Sequence, residues 1–131
     1  MAAILEKYQD LLNSKKAFAY IATTMKDGSP QVTPVWFDYT DGNIRINTAR
    51  GRVKARTLKE GAKVALAITE PENPYRYVQV RGRVARFTPE GADAHIDSLS
   101  RKYLGKDYPY RAPGEVRLTA VIEPQSSSGQ G

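Results

Sequence analysis

No cysteine occurs among the 131 residues, and histidine occurs once, at His95. The first absence excludes disulfides, thiolate nucleophiles and cysteine metal sites; the second excludes a histidine-rich metal centre within one chain. A serine hydrolase triad needs a base oriented by an acid, and His95 falls on an apolar helical stripe that turns it toward a core. No apolar run approaches the ~20 residues that span a bilayer, and the N-terminus lacks the basic-then-apolar order of a signal peptide. A soluble, cytoplasmic protein is the simplest expectation. Neither the glycine-rich dinucleotide pattern nor a Walker-type phosphate loop is found. Acidic residues are in deficit, 14 against 20 lysines and arginines, and the net charge of +6 favours anionic partners. Chemistry here must be carried by something the chain binds.

What is present concentrates between residues 44 and 58. A strand-like run through Asn47 and Thr48 leads into Arg50, Arg52, Lys54 and Arg56, and Gly51 marks the start of a helix expected to run to Glu60 and stop at Gly61. Free backbone N–H groups at such a start, together with guanidinium forks and an ammonium, would form an anion cradle for a phosphorylated cofactor or a nucleic-acid backbone. A solvated basic helix on a basic protein is the alternative reading of the same window.

The rest of the chain reads as mainly antiparallel β with flanking helices. Ile4, Leu5, Tyr8, Leu11 and Leu12 share one stripe of a helix over residues 2–14. Residues 18–24 and 31–38 read as a hairpin around the turn at Lys26–Pro30, and a turn at Asp41–Asn43 leads to a strand over 44–48. Further strands are expected at 63–68, at 75–87 and at 114–123, with Gly82 allowing a bend. Thr88 and Pro89 read as the cap and first residue of a helix in which Ala92, His95, Ile96, Leu99 and Tyr103 recur at helical spacing. One domain over residues 1–124 is expected, followed by a flexible C-terminal tail over 125–131. Asp38, Asp41, Asp93 and Asp97 fall at turns or on a solvated helix and read as solubilising charges. No catalytic residue is assigned.

The order of these features carries a resemblance. A hairpin with Trp36 on its second strand is followed by Asn47-Thr48, by Arg52-x-Lys54-x-Arg56-x-Leu58, and by Pro74-Tyr75-x-Tyr77-Val78-x-Val80-Arg81-Gly82. The chain resembles the pyridoxamine 5'-phosphate oxidase-like split β-barrel family, and within it the flavin/deazaflavin oxidoreductases that use coenzyme F420. The later Ile96-Asp97-x-Leu99-Ser100-x-Lys102-Tyr103-x-Gly105-Lys106-x-Tyr108 segment is similar to that branch as well, so the match runs from residue 17 to 124.

The resemblance implies an oxidoreductase with coenzyme F420, or alternatively FMN, bound between the subunits of a homodimer, and a small-molecule substrate that accepts hydride. Asn47, Thr48, Arg52 and Lys54 match the family's phosphate-binding positions, Ala49 lies in the same loop, and Arg56 matches a nearby basic position. Pro34, Val35 and Trp36 match the segment beside the ring system, while Tyr77 and Gln79 sit where a second subunit would contribute. Ala49-Arg50-Gly51 departs from the more polar or acidic run of the family. A cofactor carrier without turnover needs the same residues. From another class, a nucleic-acid-binding barrel would stack bases on Tyr20, Trp36, Tyr39, Tyr75 and Tyr77; against it, the cations gather at a helix start instead of tracking a groove.

Overall fold

The computed structural model describes residues 4–13 and 16–131; residues 2, 3 and 14 of the expected first helix lie outside the described residues. Within the described part, that helix is a 3-10 turn, Glu6–Tyr8, followed by α1 (Gln9–Asn13). Tyr8, Leu11 and Leu12 are buried as the stripe predicts, but Leu5 is exposed.

Seven strands follow in one antiparallel sheet: β1 (Ala19–Thr24), β2 (Pro30–Val35), β3 (Asp38–Thr40), β4 (Asn43–Ala49), β5 (Lys63–Glu70), β6 (Asn73–Thr88) and β7 (Arg117–Gln130). Their spatial order is β2-β1-β5-β6-β7-β4-β3. The two end strands, β2 and β3, are consecutive in the chain and joined only by Trp36 and Phe37. Because each residue spans at most ~3.6 Å, this short link brings the sheet's two ends together and curls it into a split β-barrel. The expected strand over 31–38 is therefore two strands. Its break at Trp36-Phe37 is the corner at which the barrel closes.

Alternation along the strands sends Ile21, Ile44, Ile46, Leu66, Ile68, Val78, Val80 and Ile122 inward, and Phe37 and Leu58 join them in one buried cluster. Ile4, Tyr8, Leu11 and Leu12 from the N-terminal segment belong to the same cluster. At Gly82 the β6–β7 register shifts, and a Cβ there would meet the Glu123 carbonyl oxygen, so the bend expected at this glycine is a bulge in which two backbones approach closely.

The C-terminal segment corrects an expectation. Residues 126–130 continue β7 and pair with Tyr77–Arg81, with Gly129 lying against the Tyr8 ring. Serine and glycine offer no apolar alternation to read. Backbone hydrogen bonding to β6, which would otherwise present an open edge, holds the segment.

Two helices complete the fold. The basic helix, α2 (Val53–Thr57), is five residues long and capped by the backbone of Arg52 and Leu58, shorter than the span to Glu60 that its sequence suggested. The later helix, α3 (Ala92–Leu104), begins after Gly91, not at Thr88-Pro89. Thr88 ends β6, and its hydroxyl accepts the Glu90 N–H at 3.1 Å, so the Thr-Pro-Glu signal specifies the turn between strand and helix. Among the described residues no helix is long and apolar enough to cross a membrane.

Candidate functional site

A cavity of about 310 Å³ opens where β2, β4 and α3 meet, at the low end of the ~300–1,000 Å³ typical of small-molecule sites. Pro34, Val35 and Trp36 from the end of β2, Asn47 from β4, and Arg52 and Lys54 from the α2 junction all line it. Phe18, Ile96, Leu99, Tyr108, Tyr110 and Arg117 complete the lining. Six of the residues implicated by the sequence thus converge on one recess.

One side of the recess is aromatic. The Trp36 ring stacks on Tyr103 with centroids 5.3 Å apart at 6°, and Tyr108 meets its edge at 6.1 Å. Phe18 stacks on the Tyr103 ring at 5.4 Å. The Tyr103 hydroxyl donates to the Ala17 carbonyl at 2.6 Å. Burial pushes its pKa up to about 12, against a smaller lowering by the Phe37 backbone N–H, so the phenol stays protonated at neutral pH. Lys102 reaches under the same corner and donates to the Phe37 carbonyl at 3.0 Å. Its ammonium is desolvated, which lowers its pKa, with the negative charge of Asp38 acting in the other direction. Trp36 is consequently a fixed plate.

The other side is cationic. Lys54 donates to the Thr33 hydroxyl at 3.0 Å, and desolvation followed by the nearby Arg52 charge holds its pKa below that of an ordinary lysine. Arg52 reaches the Glu115 carboxylate at 4.0 Å, whereas the partly desolvated Lys54 ammonium has only the neutral Thr33 hydroxyl, a condition that a phosphate or carboxylate relieves. Arg117, buried in β7, donates through Nη1 to Glu115 at 3.1 Å and through Nε to Asn47 Oδ1 at 2.8 Å. Its guanidinium lies 5.2 Å from the Tyr108 ring centroid.

The loop after α3 closes one flank. Asp97 accepts the Tyr108 N–H at 2.9 Å and an Arg111 N–H at 3.1 Å, and Asp93 pairs with Arg111 at 3.6 Å. These carboxylates anchor the tyrosine-bearing loop, a structural task that their reading as solubilising charges did not include. Asp38 differs from its reading too. Burial raises its pKa, but hydrogen bonds from His95 at 3.1 Å and from both Arg45 nitrogens at 2.8 and 2.9 Å outweigh that and hold it below the usual carboxylate range.

Not every candidate arrives at the cavity. Thr48 shares the inward face of β4 with Ile44 and Ile46, and its buried Oγ1 has no hydrogen-bond partner among the described residues. Ala49 is buried at the strand end. Arg56 lines a different recess with Lys26, Lys59 and Lys63. Tyr77 and Gln79 stand on the outer face of β6, where Gln79 contacts Ser128 at 3.4 Å. Conversely, sequence reasoning gave no site role to Tyr108, Tyr110 or Arg117, although Tyr108 closes the later segment of the resemblance. A run of tyrosines among glycine and proline was the available signal for the loop. Arg117 gave none, because α3 and its loop cover its face of the strand only in the tertiary structure.

Comparison with known proteins places this architecture. No curated protein matches the chain. Among solved structures, one titled F420 reductase superposes with a TM-score of 0.83 at 31% identity, covering 95% of this chain and 98% of the other. A conserved hypothetical protein from Mycobacterium tuberculosis matches at 0.70 and 21% identity, over 99% of this chain and 88% of its own. The FAD and heme binding protein of Mycobacterium smegmatis matches at 0.69 and 18% identity, over 98% and 71%, a likeness of fold alone. The family model described as pyridoxamine 5'-phosphate oxidase matches residues 4–126, which span every element from the N-terminal turn into β7. With the split barrel, the cavity and this match in agreement, the chain belongs to the pyridoxamine 5'-phosphate oxidase family.

Proposed function

We propose that the protein is an oxidoreductase in which reduced coenzyme F420 serves as hydride donor to an unsaturated or quinone-like organic acceptor. The observation that carries this reading is the pairing, within one cavity, of a fixed aromatic wall with partly desolvated cations, set beside a 31% identical relative titled F420 reductase. F420 brings the hydride when bound, so the protein needs to bind, orient and shield it. Trp36 and Phe18 provide a surface for a planar ring. Arg52, Lys54 and Arg117 provide charge for its phosphate and acidic tail.

Fluorescence titration with F420 and FMN is the deciding measurement, with F420 expected to bind more tightly. Full occupancy by FMN with no F420 binding would replace the cofactor. Failure of both, with single-stranded DNA binding at a steep salt slope, would move the reading to nucleic acid.

The same proposal includes a homodimer. On the outer face of the sheet, Tyr20 pairs across to Pro34 and Ala67, Ala67 to Gln79, and Thr69 to Tyr77. Val32 and Tyr20 are 63% and 43% exposed beside the small Ala22, Ala65 and Ala67, an apolar stretch bordered by Gln79 and Arg81 and suited to a second copy. Tyr77 and Gln79 would then act from the partner. Ala67→Arg should yield a folded monomer by sedimentation, with cofactor affinity lost; dimerisation unchanged by the substitution would remove the subunit-interface site.

A further inference from the structure

Behind the cavity wall, the only histidine sits in a hydrogen-bond chain whose donors and acceptors leave one arrangement. Arg117 has only donors, so the Asn47 atom that meets its Nε at 2.8 Å must be the amide oxygen. The Asn47 nitrogen therefore faces α3, where it donates to the Ala92 carbonyl at 2.9 Å and lies 3.2 Å from His95 Nδ1. A nitrogen carrying hydrogens must meet a lone pair, so Nδ1 is unprotonated. Thr119 Oγ1, 3.3 Å from the same atom, can donate to it as well. The ring proton is thus on Nε2, which faces the Asp38 carboxylate at 3.1 Å. Asp38 cannot turn away, because Arg45 grips both of its oxygens.

We propose that His95 is a positioning residue of the cavity: held as the Nε2–H tautomer by Asp38, it locks the Asn47 carboxamide so that its oxygen holds Arg117 in the cavity wall. The side chain is buried and lines no part of the recess, so it acts through Asn47. The charged groups around it are Asp38 from β3, Arg45 from β4 and Arg117 from β7, with Lys102 of α3 near Asp38. Protonation of the imidazole would put a hydrogen on Nδ1 facing the Asn47 amide hydrogens. Thr119 Oγ1 can accept that hydrogen, but Asn47 would keep only the Ala92 carbonyl of its two acceptors on α3, and its hold on Arg117 would loosen. The consequence for ligand affinity rests on the anion-binding reading of the cavity. The lock itself does not.

One histidine makes the test direct. In protein labelled with nitrogen-15 histidine, the single imidazole should show a protonated Nε2 and an unprotonated Nδ1 at neutral pH; the opposite tautomer would overturn the proposal. The second readout is hydrogen exchange at Arg117 Nε–H, measured on the whole protein without ligand. His95→Asn keeps an acceptor near the Nδ1 position, and exchange should stay within about threefold of the parent, whereas His95→Gln reaches toward Asp38 and should speed exchange by about tenfold or more. Equal exchange in the two variants, in samples of native circular dichroism, would reduce His95 to packing. Titration of the same set with F420 and FMN separates the two ideas: a correct lock in a protein that binds neither cofactor sinks the proposed function, while cofactor binding that ignores a broken lock sinks the positioning role.

Discussion

Two cationic recesses flank α2, and they differ in almost everything except charge. Lys54 and Arg56 are two residues apart on a helix that advances about 100° per residue, so they leave it on opposite sides. Lys54 enters the aromatic cavity, where it is half-buried, bonded to Thr33 and joined by Arg52 and the buried Arg117. Arg56 joins Lys26, Lys59 and Lys63, all exposed and without an ion pair among the described residues, beside Thr24, Met25, Thr57 and Ala62. Charge clustered in sequence is therefore divided in space. Only the first recess combines it with desolvation, fixed partners and an aromatic plate, the conditions under which a charged contact is worth more than screened surface attraction.

The sharpest way to break this contrast is at the buried cation. Arg117→Ala leaves Asn47 Oδ1 without its donor and Glu115 with only the Arg52 guanidinium at 4.0 Å, and should cost about 3–5 kcal/mol of stability, whereas Arg56→Ala should change it by less than about 0.5 kcal/mol, both read by urea unfolding. Similar small losses would mean that the first recess is as solvated as the second.

Ligand affinity gives the next largest effect. Lys54→Ala should weaken F420 binding by about 1–3 kcal/mol, and Lys59→Ala by less than about 0.5 kcal/mol. Equal losses by titration would indicate diffuse attraction by a basic surface and would end the distinction. Lys102→Ala would not serve as a neutral comparison, because Lys102 holds the Phe37 carbonyl at the barrel corner.

Tyr103→Phe should cost roughly 0.5–1.5 kcal/mol through loss of the bond to the Ala17 carbonyl, and it should also loosen Trp36. Thermal unfolding and the Trp36 fluorescence anisotropy report the two effects. The raised pKa of Tyr103 adds a sign: its contribution is full below the ordinary phenol value near ~10 and is lost as the pH rises through about 12.

The smallest effect is a shift in pH dependence. Folding lowers the pKa of Lys54, and a bound anion favours its charged form, so binding takes up a proton at alkaline pH. Affinity should accordingly begin to fall at a pH below that expected for an ordinary lysine, and the fall should vanish in Lys54→Ala. An unchanged profile in that variant would assign the titration elsewhere.

How much of this was legible depends on the range of the interaction involved. Strand alternation, the hairpin turn and the stripe of α3 are set by neighbours two to four residues away, and β1, β5 and the helical face of Ile96 and Leu99 fall where those periods put them. The cationic junction was legible as composition, and with it the expectation of an anionic ligand; the absence of cysteine and the lone histidine likewise limited the chemistry before any fold was known. Only the tertiary structure decided which cations share a cavity, because α2 separates Lys54 from Arg56 and β7 brings Arg117 from some sixty residues away in the chain. It also decided that Thr48 faces the core, that serines 126–128 form a strand on the backbone of β6, and that Asp38 clamps His95. A residue's type and local period determine what it can bond and which face it takes. What then stands opposite that face is supplied by distant segments, and it is there that a solubilising aspartate becomes an anchor and an unassigned arginine becomes part of a wall.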